Sequence, residues 1–194
     1  MKMISLKKLT DFKWLNLFSI SYDHKGHIGN WIFASRDANL TLSSPLRTNA
    51  VVIVPIVNTP QGRKLLVIKE YRIPVRSYEY GFSAGLIDDG EDAEVAACRE
   101  LLEETGLLVT KIISKSPPIV SSGGLSDETV EIVFVEAGGD ISTAGLEQSE
   151  DIEASLLDFD NVVRLCDRTG EFENVLIAAK AWPILYMYKQ LGAL

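Results

Sequence analysis

Residues 85–107 read GLIDDGEDAEVAACRELLEETGL, and the fold and chemistry of the chain turn on how this stretch is read. From Glu91 to Thr105 it is rich in alanine, leucine and glutamate, which lose little side-chain freedom in a helix, and Gly106 stands where a left-handed cap would end one. Asp88 followed three residues later by Glu91 fits a capping box, with Gly90 allowing a tight entry. On a helical projection Val95, Cys98, Leu101 and Leu102 share one side, which predicts the buried face. Glu100, Glu103 and Glu104 fall roughly opposite, beside the small Ala96 and Ala97. Like charges three and four apart cost about 0.2–0.5 kcal/mol per pair, so helix stability does not select this cluster. A hard divalent cation would: Mg²⁺ prefers carboxylate oxygen and takes water and substrate phosphate as its other ligands.

The spacing is more specific than the glutamates alone. Gly85, five residues, Glu91, seven residues, then Arg99-Glu100-Leu101-Leu102-Glu103-Glu104-Thr105-Gly106-Leu107 resembles, at every specified position, the sequence box of the Nudix hydrolase family. The resemblance implies an α-β-α sandwich with a mixed sheet. It also implies phosphoryl transfer assisted by Mg²⁺ or Mn²⁺, with Glu100, Glu103 and Glu104 at the metal and the Ala84 carbonyl as a backbone ligand. Arg99 reads as structural, holding a carboxylate such as Glu91 by paired hydrogen bonds.

Composition bounds the alternatives. The 194 residues suffice for one substantial core, or one catalytic domain with a small appendage; 46% hydrophobic and 24% charged content is ordinary for a globular chain. A net charge of −8 argues against a nucleic-acid-binding surface, which is normally basic. Two cysteines make no disulfide framework: Cys98 reads as a small buried hydrophobe and Cys166 as a second free thiol. No apolar run is long enough for a signal peptide or a membrane span, so the expectation is a cytoplasmic protein without membrane or nucleic-acid partners.

Residues 12–36 read as strands joined by the turn Asp23-His24-Lys25-Gly26, and the β-branched run 51–57 as a strand covered on both faces, with Pro55 implying a bulge or an edge. Residues 64–71, 108–114 and 129–136 are further strand candidates, the last two separated by a Gly/Ser loop at 121–128. A polar, acidic stretch at 138–153 precedes a short strand near Leu156. Two helices follow, at 160–168 and 172–191, the second kinked at Pro183. The resulting division is an N-terminal β segment, residues 1–46, and a catalytic domain, residues 47–194.

Outside the box, Lys69-Glu70-Tyr71-Arg72 followed by Gly85-Leu86-Ile87-Asp88 and Gly90-Glu91 resembles the branch of the family that hydrolyses ADP-ribose and other nucleoside diphosphate sugars. The resemblance implies that Arg72 contacts a substrate phosphate. Trp14, and Trp31 with Arg36, are similar to the N-terminal segment of the ADP-sugar pyrophosphatases of animals, which implies stacking on adenine, a hold on the nucleotide and a homodimer. A glutamate on a loop between the last strands is implied as base; Glu150 in Glu150-Asp151-Ile152 matches best, with Glu147 and Glu153 as competitors. Two departures bear on substrate preference. Gly81-Phe82-Ser83 stands where many relatives read Glu-Leu-Pro, and Ser122-Gly123-Gly124 where a proline is common. Open alternatives are UDP-glucose, GDP-mannose or a dinucleoside polyphosphate as substrate, or a nucleotide-sugar sensor without turnover.

Overall fold

The computed structural model describes residues 1–192. In chain order its strands are β1 (Lys2–Lys8), β2 (Asn16–His24), β3 (His27–Ser35), β4 (Ala50–Thr59), β5 (Gly62–Arg72), β6 (Ser77–Gly81), β7 (Ala84–Leu86), β8 (Leu108–Lys115), β9 (Ile119–Val120), β10 (Thr129–Gly138), β11 (Ile152–Leu157) and β12 (Leu176–Ile177). The helices are α1 (Ala93–Thr105), α2 (Phe159–Asp167) and α3 (Ala181–Leu191). The chain divides into two compact units, residues 1–49 with 118–130, and residues 50–117 with those from 131 onward.

In the first unit β1, β2 and β3 form an antiparallel sheet in that order. The β2–β3 hairpin turns on Lys25 and Gly26, both at positive φ (54° and 84°), the geometry that matches the twist of its strands. β1 is an addition to the sequence reading. Its lysine-rich KMISLKK is exposed along most of its length, as suits an edge strand, and carries no alternation to reveal it. The loop 121–128 is tied to β3: the Ala34 N–H donates to the Leu125 carbonyl at 2.8 Å and the Ser35 hydroxyl to Asp127 at 2.8 Å.

In the second unit the strand order is β12-β6-β5-β4-β10-β8, with β12 parallel to β6, β5 antiparallel to both β4 and β6, and β8 antiparallel to β10. The sheet forks. Ile56–Thr59 of β4 pair with Gly62–Leu65 of β5, and then the two strands part. β5 continues with β6 while β4 takes up β7, pairing Ala50–Val52 with Ala84–Leu86. Pro55 therefore lies at neither a bulge nor an edge. It sits buried where β4 changes partners, a place that needs no N–H from it. β11 covers the other edge of β5.

The box helix forms with its buried face turned from the expected one: Leu101 is buried as expected, but Val95, Cys98 and Leu102 are not. Ala93, Ala96, Ala97, Leu101, Glu104 and Thr105 are buried, whereas Val95 and Leu102 are 53% and 45% exposed and Cys98 is exposed. The alanines let the helix approach the sheet closely, against Val51, Ile53, Leu66, Val133 and Val135. Its N-cap is Asp92, whose carboxylate accepts from the Glu94 and Val95 N–H groups at 2.9 Å, and not Asp88. The Glu91 carboxylate does accept the Asp88 N–H, at 3.1 Å, but in the turn before the helix. Gly106 closes it at φ 76°.

At the C-terminal end α2 matches its expected span and closes on Arg168 (φ 55°), ahead of Gly170. The expected helix 172–191 shortens to α3: residues 170–172 form a 3-10 turn, Asn174 takes φ 60°, and Leu176–Ile177 pair with β6. Pro183 falls in the first turn of α3, where its missing N–H breaks no helical bond. This mixed sheet with its helices is the fold class the sequence led us to expect. Among the described residues no helix is long and apolar enough to cross a membrane.

Candidate functional site

The connection Phe82-Ser83 between β6 and β7 crosses the fork, held by the Ile53 N–H donating to the Ser83 carbonyl at 2.8 Å. Here Glu104, only 4% exposed, turns inward from α1. Its carboxylate accepts from the Ser83 hydroxyl and from the Ala84 N–H, the latter at 3.2 Å. Burial, followed by the nearby charges of Glu100 and Glu70, raises the Glu104 carboxyl to about 8. One turn earlier, Glu100 lies directly over Gly85, where a Cβ would meet its carboxylate atoms at 1.9–2.3 Å. The glycine of the box is thus the space that Glu100 occupies. Burial also pushes the Glu100 carboxyl up, against the pull of Arg99.

Arg99 organises the outer side of the cluster. Nε and Nη2 hold Glu91 as a fork at 3.0 and 2.8 Å, the structural role read from sequence. The same guanidinium also binds Glu100 at 2.8 Å, Glu103 at 3.1 Å and the Leu86 carbonyl at 2.9 Å. Glu103 is 48% exposed on its side chain and meets Arg99, so the three glutamates do not converge equally. Hydrogen bonding from Arg99, then from the Asp88 N–H, lowers Glu91 to about 2.

The structure adds Glu70, which the sequence reading passed over. It lies on β5 paired with both β6 and β11, and burial raises its carboxyl. With Glu70 at 2.6 Å and Glu79 at 2.8 Å, two carboxylates hold Arg72. The Glu150 carboxylate accepts its own loop's Glu147 N–H at 2.9 Å, and its charge is felt by both Glu70 and Glu100. Glu153, by contrast, is paired with Lys69 at 3.0 Å on β11. A carboxylate two residues before an arginine that it neutralises was the available signal for Glu70, but strand pairing is what makes it inward.

Trp14, Trp31 and Arg36 all lie in the first unit, each with a separate partner. Trp14, 69% exposed, has the Lys13 ammonium 4.1 Å from its ring; the Trp31 indole N–H donates to the Gly124 carbonyl at 3.2 Å. Arg36 meets Glu128 at 3.5 Å.

Among the described residues no three Asp, Glu, His or Cys side chains gather as a ready-made ion cage, since Arg99 draws Glu100 and Glu103 toward itself. The donor set nevertheless fits a hard divalent cation. Among the described residues Glu104 is a buried carboxylate hydrogen-bonded to a hydroxyl and an amide N–H, Glu100 adjoins it, and Ala84 brings a backbone carbonyl to the same stretch.

A family model described as NUDIX domain matches residues 46–177. An ADP-ribose pyrophosphatase of Saccharomyces cerevisiae is 37% identical over 134 residues, 68% of this chain and 56% of the relative. An ADP-sugar pyrophosphatase of Mus musculus is 33% identical over 134 residues, 68% of this chain and 59% of the relative. The match thus spans less than two thirds of the length of either relative. A crystal structure of an ADP compounds hydrolase shares the fold, with a TM-score of 0.71 and 23% identity over 97% of this chain and 92% of the other.

Proposed function

The chain belongs to the NUDIX family, and on that premise we propose that it hydrolyses the pyrophosphate bond of an ADP-linked sugar, ADP-ribose foremost, to AMP and a sugar phosphate. Mg²⁺, with Mn²⁺ as substitute, is the cofactor, held by Glu100, Glu104 and the Ala84 carbonyl with Glu103 at its margin. The observation that carries this reading is Glu104, a carboxylate 4% exposed that is met by the Ser83 hydroxyl and the Ala84 N–H and lies near Glu100. Such a group is costly to fold around unless an ion or proton joins it.

A cation held by these residues would supply positive charge to the pyrophosphate oxygens and acidify water. The remaining work falls to the chain. Arg72, its fork fixed by Glu70 and Glu79, binds a phosphate oxygen. Glu150 takes a proton from the attacking water as its oxygen bonds to phosphorus and the bridging P–O bond breaks. Trp14 and Trp31 engage the nucleoside through exposed indole faces, with Arg36 beside the nucleotide. The first unit also exposes Phe12, Ile28 and Ile32, at 69%, 67% and 60%, which supports pairing with a second copy; light scattering at micromolar concentration tests it, and a monomer there removes the dimer.

The deciding experiment incubates the purified protein with a panel of nucleoside diphosphate sugars and Mg²⁺ in ¹⁸O-water and identifies products by mass. AMP and ribose phosphate from ADP-ribose, with the label on one phosphate, are expected. Binding of the panel without any product would make the protein a sensor instead. Glu104→Gln should lower turnover by orders of magnitude while the fold survives, and near-normal turnover in it removes Glu104 from the metal site.

A further inference from the structure

The acidic loop 139–151 leaves β10 at Gly139 and enters β11 at Ile152, and it is fastened at both ends. At its start the Ser142 N–H donates to the Thr105 carbonyl at 2.9 Å, and Gly145 lies so close to α1 that a Cβ would stand 2.6 Å from the Glu103 carbonyl oxygen. At its end two β-strand residues grip Asp151. The Tyr71 N–H donates to the Asp151 carbonyl at 3.0 Å, and the Tyr78 hydroxyl donates to the Asp151 carboxylate at 2.6 Å. Glu150 is the residue between these two fastenings that the Glu70 and Glu100 charges feel.

We infer that Tyr78 is a positioning residue for hydrolysis: its hydroxyl latches Asp151 and so fixes the place from which the adjacent Glu150 reaches the attacking water. This rests on the reading of Glu150 as the base. The Tyr78 ring is braced without its hydroxyl. It meets the Tyr71 ring edge-on, centroids 5.2 Å apart, and the Lys69 ammonium lies 4.5 Å from its centroid. Lys69 in turn pairs with Glu153, two residues past Asp151. Removing the hydroxyl therefore frees the loop while leaving the sheet in place. The Tyr71 bond and the pairing of Ile152 with Glu70 hold the chain path beyond residue 150, while Glu150 itself exchanges bonds with Glu147 (its N–H to the Glu147 carbonyl at 3.1 Å), which ties it to its own loop rather than to the sheet. The carboxylate bond supplies the second point that defines the orientation of residue 150. A base displaced by an ångström loses much of its effect, because proton transfer needs hydrogen-bond distance to the water.

The test compares kcat, KM and melting temperature of Tyr78→Phe, Asp151→Ala, Asp151→Asn, Glu150→Gln and Tyr78→Phe/Glu150→Gln on ADP-ribose with Mg²⁺. Tyr78→Phe and Asp151→Ala should each lower kcat by about tenfold to a hundredfold, with KM within about twofold and no large change in melting. Asp151→Asn, whose amide oxygen still accepts from Tyr78, should retain most of the wild-type kcat. The double variant should be no slower than Glu150→Gln alone, since Tyr78 acts through Glu150. Wild-type kcat in Tyr78→Phe beside a crippled Glu150→Gln overturns the latch and leaves the base standing. An effect on KM alone, or a further loss of the full Tyr78→Phe factor in the double variant, overturns it as well. Wild-type turnover in Glu150→Gln would instead overturn the base, and the latch with it.

Discussion

The carboxylate of Glu104 is stitched to the Ser83 hydroxyl and, at 3.2 Å, to the Ala84 N–H, so the inward face of α1 is joined to the fork of the sheet through an acid. That acid has a carboxyl raised from 4.5 to about 8, by burial first and by Glu100 and Glu70 next. Between those two values the folded protein holds a proton that the unfolded chain has released. Stability is then fully present below about pH 4.5 and is lost as pH rises through about 8. The metal-free protein in chelator should melt at a lower temperature at about pH 8.5 than at about pH 5.5. Glu104→Gln, which carries no titrating proton, should flatten that difference. Identical pH profiles of the two proteins would contradict the buried charge.

Gly85 separates space from backbone freedom. It is not at positive φ; its role is the room it leaves for Glu100, whose carboxylate sits 1.9–2.3 Å from where a Cβ would be. The clashing atoms are the end of a flexible side chain, so Gly85→Ala can be relieved by swinging Glu100 away. The expected result is a stability loss of at most about 1 kcal/mol, by denaturant melt, with turnover down more than about tenfold. An active Gly85→Ala would show that Glu100 need not lie there.

How much of this was legible beforehand follows from which residues carry local signals. The hairpin turn at Lys25-Gly26, the run 51–57 and the left-handed Gly106 announce themselves through backbone preferences, and the box spacing pointed at Glu100 and Glu104. The buried face of α1 is legible only at Leu101, because hydrophobicity alone sets the expected periodicity. Val95, Cys98 and Leu102 look like a core face, yet the helix buries Ala93, Ala96 and Ala97, whose value lies in being small. The short strands β6, β7 and β12 carry little pattern of their own; β6 and β7 fill the edges that β5 and β4 open where they diverge, and β12 adds to β6. The inward placement of Glu70 is a consequence of that pairing.

Arg99 touches three glutamates and a carbonyl, a geometry that a planar guanidinium can serve and an ammonium cannot. Arg99→Lys should lower the melting temperature by several degrees. It should also release Glu91 from about 2 toward its ordinary value of 4.5. A depressed carboxylate stabilises the fold above its unfolded value, and the gain is lost as pH falls through about 2. The variant should therefore lose less stability than the parent over that acid window. Unchanged melting at neutral pH, or an unchanged acid profile, would show that the fork contributes nothing.

Gly145 tests the other end of the acidic loop. A Cβ there would lie 2.6 Å from the Glu103 carbonyl oxygen and 2.9 Å from the Glu103 Cα, both backbone atoms of a packed helix, so the loop must yield rather than α1. Because most of the loop is exposed, little burial is at stake, and melting should hold while kcat on ADP-ribose falls about tenfold. Gly124→Ala serves as the control, since a Cβ there meets nothing within 4 Å, and it should leave kcat within about twofold of the parent. If Gly145→Ala turned over as fast as that control, the close approach of the loop to Glu103 would have no part in placing Glu150.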